Sequence, residues 1–494
     1  MIREARENCG VVGARCHRED VISRIYWALL TLNHRGHESY GIATLGSDRQ
    51  IKVRKGLGLI SDLDIETLTS WRKVLDGNLG IGHVRYATSG QISGKMDLLA
   101  DAQPIIFEYG RRSLCLAFNG NITNLLQLLR EFSKENIELG GSSDIHALAY
   151  LIARELSEAD LPDAMKSISE KLDGAYAIVG LTDDGTLFAF RDPHGIRPLS
   201  HGLSEDENLY MVASESVALS TNNILDFSFV KPGELIMVGE DHVDSMMIKA
   251  EAEAFCAFEY AYFARPDSKL QGKRYVFEIR RELGRNLARR YEEVARRVDV
   301  IVPVPQTAED AAYGFHLETG KPIEPIIVRH RYLRHRAFIT PKEQRELILS
   351  HKYNLLLDRV KGKRIALIDD SIVRGDTLRH LVCILKAAGA REVHVFSTFP
   401  KIANPCFYGI DMATFEELIG FNRGEEEIAR LLEADSVNYQ RIEDFYKAVG
   451  TRKLCLACVT GRYPTPYAQR IADEGKKLAI EGKRVEGRLF EVVG

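Results

Sequence analysis

The chain has 494 residues, 66 Lys and Arg against 70 Asp and Glu, and a formal net charge of −4. That length exceeds one ordinary core and implies about two or three domains. With 45% hydrophobic and 28% charged residues, and no apolar run of about 18 residues, the composition predicts a globular cytoplasmic protein with no membrane span and no nucleic-acid partner. The basic cluster Arg329 to Arg336 is the one local exception.

The first eight residues, Met1 to Asn8, are too charged for a secretory signal and too few for a domain, so they are expected to be a removable propeptide. Removal would leave Cys9 with a free α-amine. An α-amine has a pKa of roughly 7.7 to 8 and can take the thiol proton, which makes the thiolate a nucleophile for a carbonyl carbon. The bland alternative for "CGVVG" is a buried strand residue near a terminus.

From Cys9 to about residue 245, β-branched runs such as "LGIGHVRYAT", "SLCLAFNGNI" and "YAIVGLT" predict strands. "VISRIYWALLTLNHRG" and "SSDIHALAYLIARELSEA" carry helical periodicity, the second with Asp144 near its positive end. A layered α/β unit follows. The polar clusters "NHRGHESYG", "GHVRYATSG" and "FNGNITN" read singly as turns.

A charged segment near 245–268 marks a boundary. Beyond it "VDVIVPVP", "PIEPIIV", "RIALIDD" and "EVHVFST" alternate with amphipathic helices, which predicts a parallel sheet covered on both faces. In "RIALIDDSIVRGDTLRHLVCILKAAGA" a buried strand ends in Asp369 and Asp370, and a tight loop through Gly375 and Thr377 enters a helix. Such a loop offers backbone N–H groups to phosphate, and the acids suit ribose hydroxyls or a metal; an ordinary strand–loop–helix with capping acids is the alternative. Eight cysteines are too few for a disulfide framework. Cys455 and Cys458 form a C-x₂-C turn which, with Cys256 and Cys406, could supply four thiolates to zinc or to an iron–sulfur cluster, and spacing does not separate the two.

Taken in order, "CGVVG", the three polar clusters, "RDPHGIRPL" and "VASES" closely resemble the class II glutamine amidotransferase domain, an N-terminal-nucleophile hydrolase with an αββα sandwich. "DDSIVRG", "FEYAYFARPDS", "NPCFYGID" and "CLACVTGRYPT" are similar to the type I phosphoribosyltransferase half of the amidophosphoribosyltransferase family, so the resemblance covers residues 9 to about 465. It implies a propeptide 1–8, a glutaminase domain 9–245, a transferase domain 256–450 and a C-terminal segment 451–494. Glutamine would be hydrolysed at Cys9, and ammonia would displace pyrophosphate from 5-phosphoribosyl-1-pyrophosphate to give 5-phosphoribosylamine. By the same resemblance Asn119 and Gly120 supply oxyanion donors, Arg85 and Asp144 hold the α-carboxylate and α-ammonium of glutamine, and Arg35 supports that site. Asp369, Asp370 and Thr307 would hold Mg²⁺ and pyrophosphate, while Arg374, Gly375, Asp376 and Thr377 take the 5-phosphate. Cys256, Cys406, Cys455 and Cys458 would ligate a [4Fe–4S] cluster. Purine nucleotide inhibitors and a homo-oligomer, dimer or tetramer, are further implications. Alternatives are a diverged paralogue with another acceptor and a phosphoribosylpyrophosphate-sensing regulator.

Departures from the family pattern are His37 and Tyr40 in "HRGHESY", His146 where an acid is common, and "RGDT" in place of "RGTT". Asp376 would repel a phosphate dianion if it pointed inward, so its side chain is expected to face outward. "RHRYLRHRAFITP" carries an apparent one-residue insertion, with Ala337 where Thr is usual.

Overall fold

A computed structural model describes residues 9–16, 20–86, 98–141, 143–206, 208–240, 242–330, 353–483 and 489. Residues 1–8, expected to be a propeptide, together with Ala337 and most of the basic cluster, lie outside the described residues.

In the first half, two antiparallel sheets lie face to face. One has seven strands, ordered Phe227–Phe229, Ser200–Ser204, Leu209–Ala213, Gly10–Cys16, Leu79–Arg85, Ser39–Leu45 and Ile51–Leu57. The other has six, ordered Val243–Met247, Glu234–Val238, Leu187–Arg191, Gly174–Thr182, Arg112–Ile122 and Ile105–Tyr109. Alternation along each strand divides the apolar residues between two layers. Val11, Ala43 and Ile81 meet Ala117, Val179 and Ala189 between the sheets. Outward-facing Val12, Ile42 and Val84 pack under helix Val21–Thr31, and Leu116, Phe118 and Ile178 under helices Asp144–Leu156 and Leu161–Lys171. This is the expected αββα sandwich. Its second sheet runs through Met247, so the expected boundary at 245 falls inside the edge strand Val243–Met247.

The second half is built on a four-stranded parallel sheet, ordered Val300–Pro303, Arg364–Asp369, Glu392–Ser397 and Ser436–Tyr439. One expectation fails here. "PIEPIIV" is not a strand of this sheet: it makes a single parallel bridge, Ile301 to Ile323, and then a short strand, Ile327–Arg329, antiparallel to Tyr353–Leu355. Pro322 and Pro325 remove two ladder donors, which stops the run from pairing throughout. The fourth strand, Ser436–Tyr439, is instead added at the opposite edge, beside Glu392–Ser397.

The C-terminal segment does not stand apart. Leu454–Cys455 pairs in parallel with Phe255–Cys256. At the start of the last long helix, Pro466–Ile480, Thr465 Oγ1 and Tyr467 N–H donate to Asp173 of the first half at 2.6 and 2.9 Å.

Candidate active sites

Cys9 sits at the head of the central strand Gly10–Cys16, between Leu79–Arg85 and Leu209–Ala213. It is 6% exposed, and its Sγ lies 3.3 Å from the Tyr86 carbonyl and accepts the Tyr86 N–H at 3.4 Å. A small pocket of about 10 Å³ brings together Cys9, Arg85, Tyr86, Gln103, Phe118, Gly120, Ser143 and Asp144. That is about one water's worth of room. Burial pushes the Cys9 thiol up to about 11, against the Tyr86 N–H and the charge of Arg85. At neutral pH the full-length chain therefore holds a thiol, and it needs a local base. In a chain that keeps residues 1–8, alkylation of Cys9 by iodoacetamide is expected to climb roughly tenfold per pH unit from about pH 8 to 10, because the thiolate is the reactive form. Removing those residues should move the curve to lower pH, and mass spectrometry of the Cys9 peptide at each pH reads both.

Arg85 is 3% exposed and stands between two carboxylates, Glu38 at 3.7 Å and Asp101 at 3.8 Å. Asp101 also faces His146, whose Nε2 is 3.5 Å away. His146 thus sits across Asp101 from Arg85. Asp144 opens helix Asp144–Leu156 and accepts the Ile122 N–H at 3.3 Å. Next to the pocket, Asn119 is fully buried, and neither its side-chain oxygen nor its nitrogen has a hydrogen-bond partner. A buried orphan amide is costly unless something arrives to use it. Its neighbour Gly120 has φ +152°, and a Cβ there would sit 1.9 Å from the Ala175 carbonyl oxygen, so only glycine brings this strand so close.

Arg35, expected among the glutamine contacts, does not line this pocket. It works from behind: Nε donates to the Cys9 carbonyl at 3.2 Å, Nη1 to Glu215 at 2.5 Å, and Nη2 to Glu259 at 2.7 Å. Burial alone would lower the guanidinium, but Glu259 and Glu215 raise it far above its ordinary value. Glycine follows it because a Cβ at Gly36 would lie 2.4 Å from the Val84 carbonyl carbon.

The second site is an open cavity of about 610 Å³ at the carboxyl ends of the parallel strands. Thr307, Asp369, Asp370, Arg374, Gly375, Asp376 and Thr377 all line it. Gly375, with φ +86°, turns the chain into helix Asp376–Ala387, whose first turn lines the cavity. The Thr307 hydroxyl donates to Asp370 Oδ2. Arg374 sends its guanidinium to Glu417 at 2.5 Å and to the Asp411 carbonyl at 3.1 Å, and so braces the loop. Asp376 is among the residues that line the cavity and is half-buried, and burial raises its carboxyl against the pull of Arg374 and Arg379. Relief of that charge in Asp376→Thr is therefore expected to tighten ribosyl-donor binding about tenfold, equal to about 1.4 kcal/mol, in titrations at pH 7.5 or so. Unchanged affinity would mean that the carboxylate leans away from the phosphate.

Sequence reasoning missed several groups on these walls. Gln103 accepts the Phe118 N–H at 2.8 Å and lines the first pocket. Buried Arg280 donates to the Tyr260, Tyr262 and Ala264 carbonyls and so shapes the turn that borders the cavity. His34, from the first half, also lines it. No local spacing marks these residues, since each acts on main chain or ligand brought in by folding.

The four candidate cluster cysteines converge. Cys256 and Cys455 are register partners, Cys458 is in the short helix Ala457–Thr460, and Cys406 Sγ accepts the Tyr408 N–H at 3.4 Å. Burial pushes the Cys256 thiol up to about 12 and raises the other three, and the charges of the four act on one another. Among the described residues no three His, Cys, Asp or Glu side chains are gathered closely enough to hold a single ion.

Comparison with known proteins decides the family. A glutamine amidotransferase domain model matches residues 89–221. The chain is 39% identical over 480 residues to the amidophosphoribosyltransferase of Methanocaldococcus jannaschii, covering 92% of this chain and 98% of that one. The chain belongs to the amidophosphoribosyltransferase family. It is also 38% identical to the Bacillus subtilis amidophosphoribosyltransferase, over 95% of this chain and 96% of that one. The solved structure of B. subtilis glutamine phosphoribosylpyrophosphate amidotransferase complexed with ADP and GMP superposes with a TM-score of 0.82 at 36% identity, over 93% and 98% of the two chains. A structure described as the allosteric regulatory enzyme of purine biosynthesis gives 0.83 at 37%, over 93% and 97%. Among the described residues no helix is long and apolar enough to cross a membrane.

Proposed function

We propose that the chain is a glutamine-dependent amidophosphoribosyltransferase that makes 5-phosphoribosylamine in purine biosynthesis. The observation that carries this reading is the presence in one chain of a buried Cys9 pocket and a separate phosphate-type cavity at the strand ends, in a chain alike along nearly its whole length to named amidophosphoribosyltransferases.

The Cys9 thiolate attacks the side-chain amide carbon of glutamine. The developing oxyanion takes hydrogen bonds from the Asn119 amide and the Gly120 N–H, each worth roughly 3 to 4 kcal/mol at a pre-organised site. Arg85 pairs with the α-carboxylate and Asp144 with the α-ammonium. The C–N bond breaks, ammonia leaves, and water cleaves the thioester to glutamate. In the second cavity the lone pair of ammonia forms the new bond to ribose C1 as pyrophosphate departs. Asp369 and Asp370 hold the ribose end, Thr307 the pyrophosphate side, and the N–H groups from Gly375 to Thr377 the 5-phosphate.

Two carboxylates and a hydroxyl fit Mg²⁺, which keeps waters and takes the rest of its shell from phosphate oxygens. Bound there, the ion would neutralise charge on the departing pyrophosphate. The donor set Cys256, Cys406, Cys455 and Cys458, all thiols in a buried apolar core, fits a [4Fe–4S] cluster that would tie distant segments together. Purine nucleotides as regulators are supported by the ADP- and GMP-complexed neighbour. A cytoplasmic homo-oligomer completes the proposal.

The test is glutamine-dependent release of pyrophosphate from 5-phosphoribosyl-1-pyrophosphate with Mg²⁺. Glutaminase activity without pyrophosphate release would favour the paralogue with another acceptor.

A further inference from the structure

The two sites meet at a single buried carboxylate that neither reaction uses. Glu215, fully buried, lies between strand Leu209–Ala213 and helix Ser216–Ser220. Its Oε1 takes His34 Nε2 at 2.8 Å and Arg35 Nη1 at 2.5 Å. Its Oε2 takes the Arg265 N–H at 3.0 Å and the Ser268 hydroxyl at 2.6 Å. The serines on either side extend the junction in both directions. Ser214 Oγ accepts the Val11 N–H at 2.9 Å on the nucleophile strand, and Ser216 Oγ accepts the Lys269 N–H at 2.8 Å on the segment that enters the second half.

The ends of this network are at the two sites. Arg35 holds the Cys9 carbonyl at 3.2 Å. His34 and Arg265 line the phosphoribosyl cavity, and the His34 side chain is 27% exposed there. We infer that Glu215 is a positioning residue shared by both sites, and that His34, lent by the first half to the second cavity, passes the occupancy of that cavity through Glu215 and Arg35 to the main chain of Cys9. An anionic ligand beside His34 competes with Glu215 for the imidazole N–H. When His34 turns to the ligand, Glu215 loses one of its donors and its charge falls more fully on Arg35. Arg35 is divided between Glu215 and Glu259, with Nη1 also 3.0 Å from Glu259 Oε2, so a shift in that division moves its hold on Cys9. Burial keeps all of these bonds strong and makes an unpaired member expensive, so the network rearranges as a unit.

The inference rests on the reading of the two pockets given above, and its test does not need turnover. The rate of Cys9 alkylation by iodoacetamide is measured in the full chain with and without saturating 5-phosphoribosyl-1-pyrophosphate and Mg²⁺. Ligand binding to each variant is checked by the rise in Tm it produces. The wild-type rate is expected to change about fivefold or more on ligand addition, the lower range of ordinary coupling between sites. In Glu215→Gln, and separately in His34→Ala, which removes a partly exposed ring and preserves the fold if the first variant does not, the change should drop below about twofold, with the double variant no worse than either single one. A ligand-insensitive wild-type rate, or variants that bind ligand and keep the full change, would overturn it. A chain that releases no pyrophosphate yet shows the ligand-dependent change would remove the synthase reading and leave this one standing.

Discussion

Cys9→Ala is expected to cut glutamine-dependent pyrophosphate release by at least about a thousandfold, since loss of a covalent nucleophile is not compensated by the groups around it. Ammonia supplied from solution should still react, at a rate within about twofold of wild type, because the Cys9 side chain is not part of the second cavity's lining. The residues that line the two cavities do not overlap, and Arg35 reaches Cys9 only through its main-chain carbonyl, which alanine keeps. Alanine also leaves little to repack at a thiol next to so small a pocket. Parallel assays with glutamine and with ammonium chloride at about pH 8.5 decide the matter. Loss of both activities in a folded variant would mean that Cys9 serves the second site too, and survival of glutamine use would remove it as the nucleophile.

Anaerobically purified protein should be brown, with about four iron atoms and matching acid-labile sulfide per chain, if the thiol quartet takes a cubane. Cys455→Ser should lose that iron and lower Tm by about 5 °C or more, since metal-binding energy at a site made only by folding is folding energy. The structural reason is where the four thiols come from. Cys256 and Cys455 lie on a two-residue strand pair, too short to hold by its own hydrogen bonds, and Cys406 sits two residues before Tyr408, whose carbonyl takes buried Arg197 of the first half. Phe407 carbonyl in turn accepts from Asn121 Nδ2 at 2.9 Å, one strand position past Gly120. Release of the quartet would therefore loosen the seam between the halves as well as the C-terminal segment. Stoichiometric zinc without sulfide would replace the cluster assignment, and a variant that keeps its Tm but loses turnover would indicate a redox role.

What the sequence determined by itself is the chemistry that depends on local order. A strand that ends in Asp369 and Asp370 and turns at Gly375 into a helix can point its acids and N–H groups in only one direction, so the second cavity was legible from "DDSIVRGDT". The same holds for Cys9 at the head of a buried strand and for the alternation that divides Val11 from Val12 between two layers. The parallel sheet was legible from its continuous Val and Ile runs, except where prolines and a short polar strand, Ser436–Tyr439, broke the pattern. Only the tertiary structure decided which charges meet. Arg35 finds Glu215 and Glu259 across 180 and 224 residues, and an "HRG" cluster carries no sign that its arginine faces away from substrate. Periodicity specifies whether a side chain is buried, and burial compels a charge to find a partner, but the identity of the partner is set by how sheets and helices stack. For the same reason the place of Asp376 in the cavity lining, the small pocket beside Cys9 and the interaction of four cysteines from three segments became visible only once the chain was folded.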